Sequence, residues 1–122
     1  MPADIKIIHT KEFIRATPDG ILNLEETKKL FLDIVSVSEK NHKYNIVIDA
    51  RNAEFIMSAI DLWYLMAEMF KNYNAFSQKM VILYLAGHFD NVEFFELCSQ
   101  NKGFSVNAFT SYEEAIEWLF EV

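Results

Sequence analysis

The sequence contains few residues that break or crosslink a chain: three glycines, two prolines and one cysteine among 122 residues. It has neither the Gly-x-Gly-x-x-Gly fingerprint of dinucleotide binding nor a Walker phosphate loop, so we expect no cofactor. The single cysteine, Cys98, excludes an internal disulfide and fits the reducing environment of the cytoplasm. There is also no signal-peptide pattern and no run of about 20 apolar residues, so we expect a cytoplasmic protein without a membrane span.

Positive charge is also scarce. The chain carries 11 basic against 18 acidic residues, and its formal net charge is -7. This balance disfavours binding to nucleic acid or to an anionic membrane surface, because both attract clustered Lys and Arg. Hydrophobic residues, by contrast, make up 52% of the chain and exclude a disordered protein. The length indicates one domain, residues 1–122.

Two apolar runs form the predicted centre of the fold. Residues 44–49 and 80–85 are apolar almost throughout, which is typical of strands buried on both faces of a parallel sheet. Between them, the polar residues 51–54 predict a loop, and the apolar segment 58–76 predicts a helix. Ser58 lies at its start with an aspartate three residues later, which is the spacing of a capping box. Together these segments predict a βαβ unit.

The segments before this unit predict a hairpin and a helix. Residues 5–9 and 12–16 predict two antiparallel strands joined by a tight turn. Residues 17–20, Thr-Pro-Asp-Gly, combine residue types that favour a turn. Asn23 then predicts the N-cap of a first helix, which we expect to end near Asn41.

The segments after this unit complete the predicted sheet. Residues 90–101 predict a third helix, which Gly103 is placed to end in the left-handed conformation. Residues 104–109 alternate as an edge strand does, and residues 110–113 carry the capping signal of a fourth helix. The predicted fold is therefore α/β: a single domain with a mixed, mostly parallel five-stranded sheet and four helices in the order ββαβαβαβα.

This order resembles the STAS domain, the fold of anti-sigma-factor antagonists and of the cytoplasmic tails of sulphate transporters. The likeness covers nearly the whole chain. It includes the strand that ends in Ile48-Asp49, the helix that begins at Ser58, and a closing strand with Thr-Ser-x-Glu-Glu-Ala-x-x-Trp-Leu from Thr110 to Leu119. The chain looks closest to divergent STAS-like proteins of bacteria. The resemblance implies a non-enzymatic regulatory module that binds a protein partner.

The resemblance also draws attention to Ser58. Antagonists of this family carry Asp-Ser-Ser/Thr-Gly at the start of the second helix, where a kinase partner phosphorylates a Ser or Thr. Residues 57–60 of this chain read Met-Ser-Ala-Ile, so Ser58 matches the phosphorylated position, whereas the aspartate, the second hydroxyl and the glycine are missing. A carboxylate follows at Asp61 and would repel a phosphate. We therefore predict that Ser58 caps the helix and is not a regulatory phosphosite.

Polar residues follow the two central strands at their predicted C-terminal ends. Asp49 and Arg51 follow the first strand, Ser58 begins the next helix, and His88 follows the second strand. Ligands of open α/β sheets bind at this edge, and a helix N-terminus beside an arginine favours an anion. Structural roles compete with this interpretation. Asp49 suits an Asx-turn, Arg51 suits an ion pair with Glu54, and Ser58 suits a helix cap.

The second helix carries more apolar residues than one sheet face needs. On its predicted core side, three residues are candidates to line a pocket for a small apolar ligand: Trp63, Met66 and Phe70. Four others project away from the predicted core faces of the second and third helices: Tyr64, Leu65, Phe94 and Leu97. We predict that they form an exposed apolar patch that contacts a protein partner or a second copy in a homodimer.

No catalytic or metal site can be assigned. The chain lacks Gly-x-Ser-x-Gly and His-Glu-x-x-His, its three histidines (His9, His42 and His88) lie in different predicted elements, and Cys98 is predicted to be a buried small hydrophobe. The favoured hypothesis is a non-enzymatic regulatory module that docks a protein partner through its second and third helices. The alternative is a protein that binds a small apolar or anionic ligand. An enzyme is disfavoured because no nucleophile–base pair can be named.

Overall fold

A computed structural model describes residues 4–8, 13–38, 44–70, 72, 74–76 and 78–121. The strands in these residues are β1 (Asp4–Ile8), β2 (Phe13–Thr17), β3 (Asp19–Leu22), β4 (Asn45–Asp49), β5 (Asn52–Phe55), β6 (Met80–Leu83) and β7 (Val106–Phe109). The α-helices are α1 (Leu24–Val37), α2 (Ala59–Leu65), α3 (Val92–Asn101) and α4 (Tyr112–Leu119). A π-helical segment, Met66–Phe70, and a short 3-10 helix, Asn74–Phe76, follow α2.

Five strands form the main sheet in the order β1-β2-β4-β6-β7. The β1–β2 pair is antiparallel, and every other pair in this sheet is parallel. In this register Ile48 of β4 lies opposite Ala16 of β2 and Ile82 of β6. The predicted α/β class, the five-stranded mostly parallel sheet and the four helices are therefore confirmed.

Alternate side chains of the sheet enter two separate cores. Ile46 and Ile48 of β4 are buried in the larger core, together with residues of α1, α2 and α3. Val47 and its neighbour on β6, Val81, are buried on the opposite face against α4. Three helices thus cover one face of the sheet. On the other face α4 is the one helix among the described elements that packs, mainly over β6 and β7.

A small second sheet is the main feature that the sequence did not predict. The residues predicted as a turn (17–20) and as a loop (51–54) contribute the two strands β3 and β5, which pair in parallel. Both segments are mostly polar and lack the apolar alternation that identifies a strand. The two segments follow β2 and β4, whose pairing places them side by side. Backbone bonds also tie β5 to the β6–α3 loop, because Phe55 N–H donates to the His88 carbonyl.

The segment predicted as one helix over residues 58–76 is shorter and differently rotated. It is α-helical only to Leu65, after which the chain widens into the π-helical segment. Its described buried residues are Leu62, Leu65, Met66, Met69 and Phe76, whereas Trp63 is half-exposed. The predicted buried face of this helix was wrong because the prediction included residues beyond Leu65. There the helix no longer advances by 100° per residue. Within α2 itself, apolar residues surround the axis and define no single face.

The helix ends largely follow the predicted capping residues. Asn23 Oδ1 accepts a hydrogen bond from Glu26 N–H at 3.0 Å at the start of α1. Gly103 adopts φ 91° after α3, as predicted for a left-handed helix end. The helix α1 ends at Val37, earlier than predicted. The predicted end at Asn41 and the predicted hairpin turn at residues 10–11 lie outside the described residues.

Candidate functional site

A three-residue ion cluster lies where β4 ends. Arg51 donates from Nε to Asp49 Oδ1 at 2.8 Å and from Nη2 to Asp49 Oδ2 at 2.7 Å. This is the two-bond fork that a guanidinium makes with a carboxylate. Arg15 Nη2 lies 3.4 Å from the same Oδ2. Asp49 is almost fully buried, whereas both arginine side chains are about half exposed.

The register of the sheet explains why Arg15 joins this cluster. Arg15 lies opposite Val47 in the β2–β4 pair, and Asp49 follows Val47 by two residues, so all three side chains lie on the α4 face of the sheet. Sequence reasoning missed Arg15 because β2 and β4 are not consecutive along the chain. Its spacing of two residues from Phe13, which places both side chains on one face of the strand, was the available signal, but this spacing does not identify the neighbouring strand.

Asp49 also shapes the turn that follows it. The Arg51 backbone N–H donates to Asp49 Oδ1 at 3.3 Å, which is the Asx-turn bond that was one predicted role of this residue. Arg51 pairs with Asp49 and not with Glu54 among the described ion pairs. The side-chain hydrogen bond from Arg51 holds the pKa of Asp49 below its ordinary value, although burial alone would raise it. The bond to Asp49 likewise raises the pKa of Arg51.

An open groove of about 430 Å³ lies beside the ion cluster. Besides the two arginines, five residues line it: Ile8, Phe13, Val47, Tyr112 and Ile116. Arg51 Cζ lies 5.7 Å from the centre of the Tyr112 ring, within the range of a cation–π contact. The groove therefore has an apolar floor and a guanidinium rim.

The other predicted residues of this edge do not line the groove. Ser58 Oγ accepts a hydrogen bond from Asp61 N–H at 3.1 Å, and Asp61 Oδ2 accepts one from Ser58 N–H at 3.2 Å. This reciprocal pair is the predicted capping box, at the start of a helix on the opposite face of the sheet. His88 is exposed in the β6–α3 loop. No hydrogen bond joins either residue to Asp49 or Arg51 in the part of the chain that the structure describes.

A second candidate site is the outer surface of α2. Ile60, Trp63 and Tyr64 are exposed by 68%, 47% and 56%, and their spacing of i, i+3 and i+4 places them on one side of the helix. The two aromatic rings meet edge to face with centres 5.4 Å apart. Lys102, at the end of α3, places Nζ 6.0 Å from the centre of the Trp63 ring. We call Ile60, Trp63 and Tyr64 the α2 stripe.

The α2 stripe differs from the predicted partner surface. Tyr64 is exposed as predicted, and so is Leu97 on α3. Leu65 was placed wrongly, because it is only 1% exposed and belongs to the larger core. Phe94 is half-buried and packs against the same core, so it does not project freely as predicted. Ile60 was not predicted as part of this surface.

The described residues around the second helix leave little room for the predicted apolar pocket. Met66 is fully buried, and its Sδ accepts a hydrogen bond from Ser99 Oγ at 3.0 Å. Trp63 points outward, and the Phe70 side chain lies outside the described part of the chain. The space between α2 and the sheet has a volume of about 10 Å³, no more than one water needs. Cys98 is half-buried and packs against this core.

Two further observations concern metal binding and membrane-spanning helices. Among the described residues, no group of three or more His, Cys, Asp or Glu side chains is arranged to hold a metal ion. The three histidines were predicted to lie in different elements, but His9 and His42 lie outside the described residues. No helix in the described ranges is long and apolar enough to cross a membrane.

Comparison with known proteins supports the fold. No family model and no curated protein sequence matches the chain. It is similar to an uncharacterised protein of the DUF3478 family with a SpoIIAA-like fold from Shewanella loihica PV-4, with a TM-score of 0.61 and 13% identity over 96% of this chain and 91% of that one. It is also similar to the anti-sigma factor antagonist SpoIIAA in its unphosphorylated form, with a TM-score of 0.52 and 13% identity over 98% and 99% of the two chains. The predicted STAS-like fold is thereby confirmed.

Proposed function

We propose that this STAS-like chain is a non-enzymatic regulatory module that docks a protein partner through the α2 stripe and the adjoining end of α3. The observation that carries this proposal is the exposure of Ile60, Trp63 and Tyr64 on one side of a helix whose other side is buried. The fold likeness to an anti-sigma factor antagonist supports a regulatory role in general terms. We place this role in the cytoplasm, in keeping with the single cysteine.

The α2 stripe presents the residue types that a protein partner covers most favourably. Trp and Tyr are enriched among the residues that dominate binding energy, because each removes a large apolar area from water while keeping a polar end. Burial of apolar area contributes roughly 25 cal/mol per Å² before the costs of association are subtracted. Lys102 at the edge of the stripe adds a positive charge to the rim. The fitting partner therefore presents an apolar pocket with an acidic side chain at its margin.

The proposal assigns Ser58 a structural role in the docking helix. Its hydroxyl accepts the Asp61 N–H, and the Asp61 carboxylate is held near it by the Ser58 N–H. A phosphate on Ser58 would face this carboxylate at short range, which opposes phosphorylation electrostatically. Docking is then constitutive and does not depend on a phosphate at this position.

The proposal assigns no catalysis. Within the described residues, no histidine or carboxylate accepts a hydrogen bond from a serine hydroxyl or from the Cys98 thiol. Activation of a nucleophile by an adjacent general base needs such a group within hydrogen-bond reach. A role in binding is therefore better supported than a role in chemistry.

The test is affinity capture from the native cells with three forms of the protein. Wild type should retain a partner that is lost from the double variant Trp63→Gln and Tyr64→Gln. Leu32→Gln is the matched control, because Leu32 is an exposed apolar residue on α1. It should retain the partner at the yield of wild type. The partner is then purified and its affinity measured for all three forms. Equal affinities would overturn the proposal.

The same variants test a homodimer. If the α2 stripe joins two copies of this chain, sedimentation velocity should show a dimer of wild type and a monomer of the double variant. A wild-type monomer at high concentration would leave only a different protein as the partner.

A further inference from the structure

We propose that the groove between α4 and the β1–β2 hairpin binds a small amphipathic anion, namely a carboxylate or phosphate group attached to an apolar body. This site is separate from the α2 stripe, because it lies on the opposite face of the sheet. It does not depend on the proposed docking of a protein partner.

The groove exists because one helix is too narrow to cover one face of a five-stranded sheet. The helix α4 packs mainly over β6 and β7 and leaves the β1–β2 side of this face without a helix among the described elements. Ile8 of β1 and Ile116 of α4 are half-buried on the two sides of the groove, with Val47 buried between them. Its volume of about 430 Å³ lies within the usual range for small-molecule sites.

Two guanidiniums line the groove, although α4 on the same face of the sheet also carries the carboxylates Glu113, Glu114 and Glu117. Two guanidiniums, of Arg15 and Arg51, meet a single carboxylate, Asp49. Lys6 lies directly opposite Arg15 in the β1–β2 pair, so its side chain projects on the same face, where it contacts Asp4 at 3.6 Å. The three side chains of the ion cluster, Arg15, Arg51 and Asp49, together carry one net positive charge, whereas the whole chain carries -7.

Arg15 is the residue best placed to bind an added anion. Its recorded contact with Asp49 is long, at 3.4 Å, and uses only Nη2. A guanidinium has five N–H donors in a planar fork, so Arg15 keeps donors that can bind a carboxylate or a phosphate. Arg51, by contrast, commits Nε and Nη2 to short bonds with Asp49 and is held in place by them. Arg51 thus provides fixed charge, and Arg15 provides the binding fork.

The two halves of the groove together define the class of ligand. A guanidinium rim selects an anion. It disfavours a cation, which it repels, and a neutral molecule, which leaves the charge of the rim unpaired. The apolar floor selects a molecule with a hydrocarbon or aromatic body, which also suits the exposed ring of Tyr112 beside Arg51. Monocarboxylic acids and monoalkyl phosphates of moderate length share both properties.

The test is isothermal titration calorimetry of the full chain with four probes: decanoate, decyl phosphate, decanol and butyrate. Decanoate and decyl phosphate should bind with one site per chain. Decanol lacks the charge, and butyrate lacks the long apolar body. Each should bind at least about tenfold more weakly than decanoate. A preference for decyl phosphate would indicate a phosphate ligand, and a preference for decanoate a carboxylate ligand.

Variants then locate the site. Arg15→Gln should weaken decanoate binding about tenfold, since it removes charge-assisted hydrogen bonds. Lys29→Gln removes the same charge from an exposed position on α1, beyond the other face of the sheet, and should leave the affinity unchanged. Chemical shifts in a ¹H–¹⁵N spectrum of wild type provide a measurement that needs no variant. On titration with decanoate they should change in β1, β2, β4 and α4.

Several results would overturn the proposal. Decanol binding as tightly as decanoate would show that the arginines do not select the ligand. Equal losses in Arg15→Gln and Lys29→Gln would show a diffuse effect of charge. Absence of binding, or shift changes confined to α2 and α3, would remove the groove as the site.

Discussion

Arg51 reaches back two residues to hold the Asp49 carboxylate with both Nε and Nη2, at 2.8 and 2.7 Å. The pair fixes the turn between β4 and β5, because the Arg51 N–H binds the same carboxylate. It thereby orients the start of the small second sheet, and it brings a buried negative charge under two arginines. One ionised carboxylate, Asp49, thus holds both this turn and the Arg51 guanidinium beside the groove.

The first prediction concerns the pH dependence of this pair. The pKa of Asp49 in the folded protein is lowered, first by the side-chain hydrogen bond from Arg51. A carboxyl whose folded pKa lies below its unfolded value of about 3.9 stabilises the fold above that value and loses this contribution as pH falls through the folded pKa. Asp49→Asn should therefore lower the free energy of unfolding by about 1–3 kcal/mol at neutral pH, and by much less in acid.

Urea unfolding at neutral pH and below pH 3 measures this difference. Asp90→Asn is the matched control, since Asp90 is exposed. Its effect should be small at both pH values. An Asp49→Asn deficit that stays constant across this range would mean that the carboxylate is not preferentially stabilised when ionised.

The second prediction compares two neighbouring residues of α2. Leu65 is buried in the larger core and Tyr64 is exposed. Leu65→Asp places a charge in an apolar interior and should destabilise the fold by about 4 kcal/mol or more, or prevent folding. Tyr64→Asp should change the free energy of unfolding by only about 0.5 kcal/mol. Circular dichroism during urea unfolding measures the free energy of unfolding of both variants. A larger loss in Tyr64→Asp than in Leu65→Asp would support the buried face of α2 that was predicted from the sequence.

The third prediction concerns Ser58 as a helix cap. Ser58→Ala should lower the free energy of unfolding by about 0.5–2 kcal/mol, because the Asp61 N–H loses its acceptor. Ser58→Asp should restore most of this loss as an alternative cap. Ser105→Ala, at an exposed position outside the helices, is the control and should have little effect. Mass spectrometry of protein from its native cells completes the test, and substantial phosphate on Ser58 would return the phospho-switch to consideration.

Asp49 and Arg51 illustrate how far the sequence predicts the site. They follow an apolar run that predicts a central strand, so their position at a strand end was accessible from the sequence. Arg15 was not, because its place beside Asp49 depends on which strands are neighbours. Two intervening elements, β3 and α1, separate β2 from β4 along the chain.

The surface of α2 was harder to predict than the sheet. A strand alternates with a period of two residues, and a single register fixes which side chains are buried. In α2, apolar residues lie all round the axis, and the π-helical segment after Leu65 changes the angular step. Burial there is decided by packing against α1 and α3, which the order of residue types does not encode locally.

The most direct measurement of the docking claim is photo-crosslinking in the native cells. The chain is expressed with p-benzoylphenylalanine in place of Tyr64, and in parallel in place of Leu32 as the exposed control on α1. We expect a crosslinked protein from position 64 that is absent from position 32 and is lost when Ile60→Asp is added. Equal products from the two positions, or none from position 64, would contradict the claim that the α2 stripe is the docking surface.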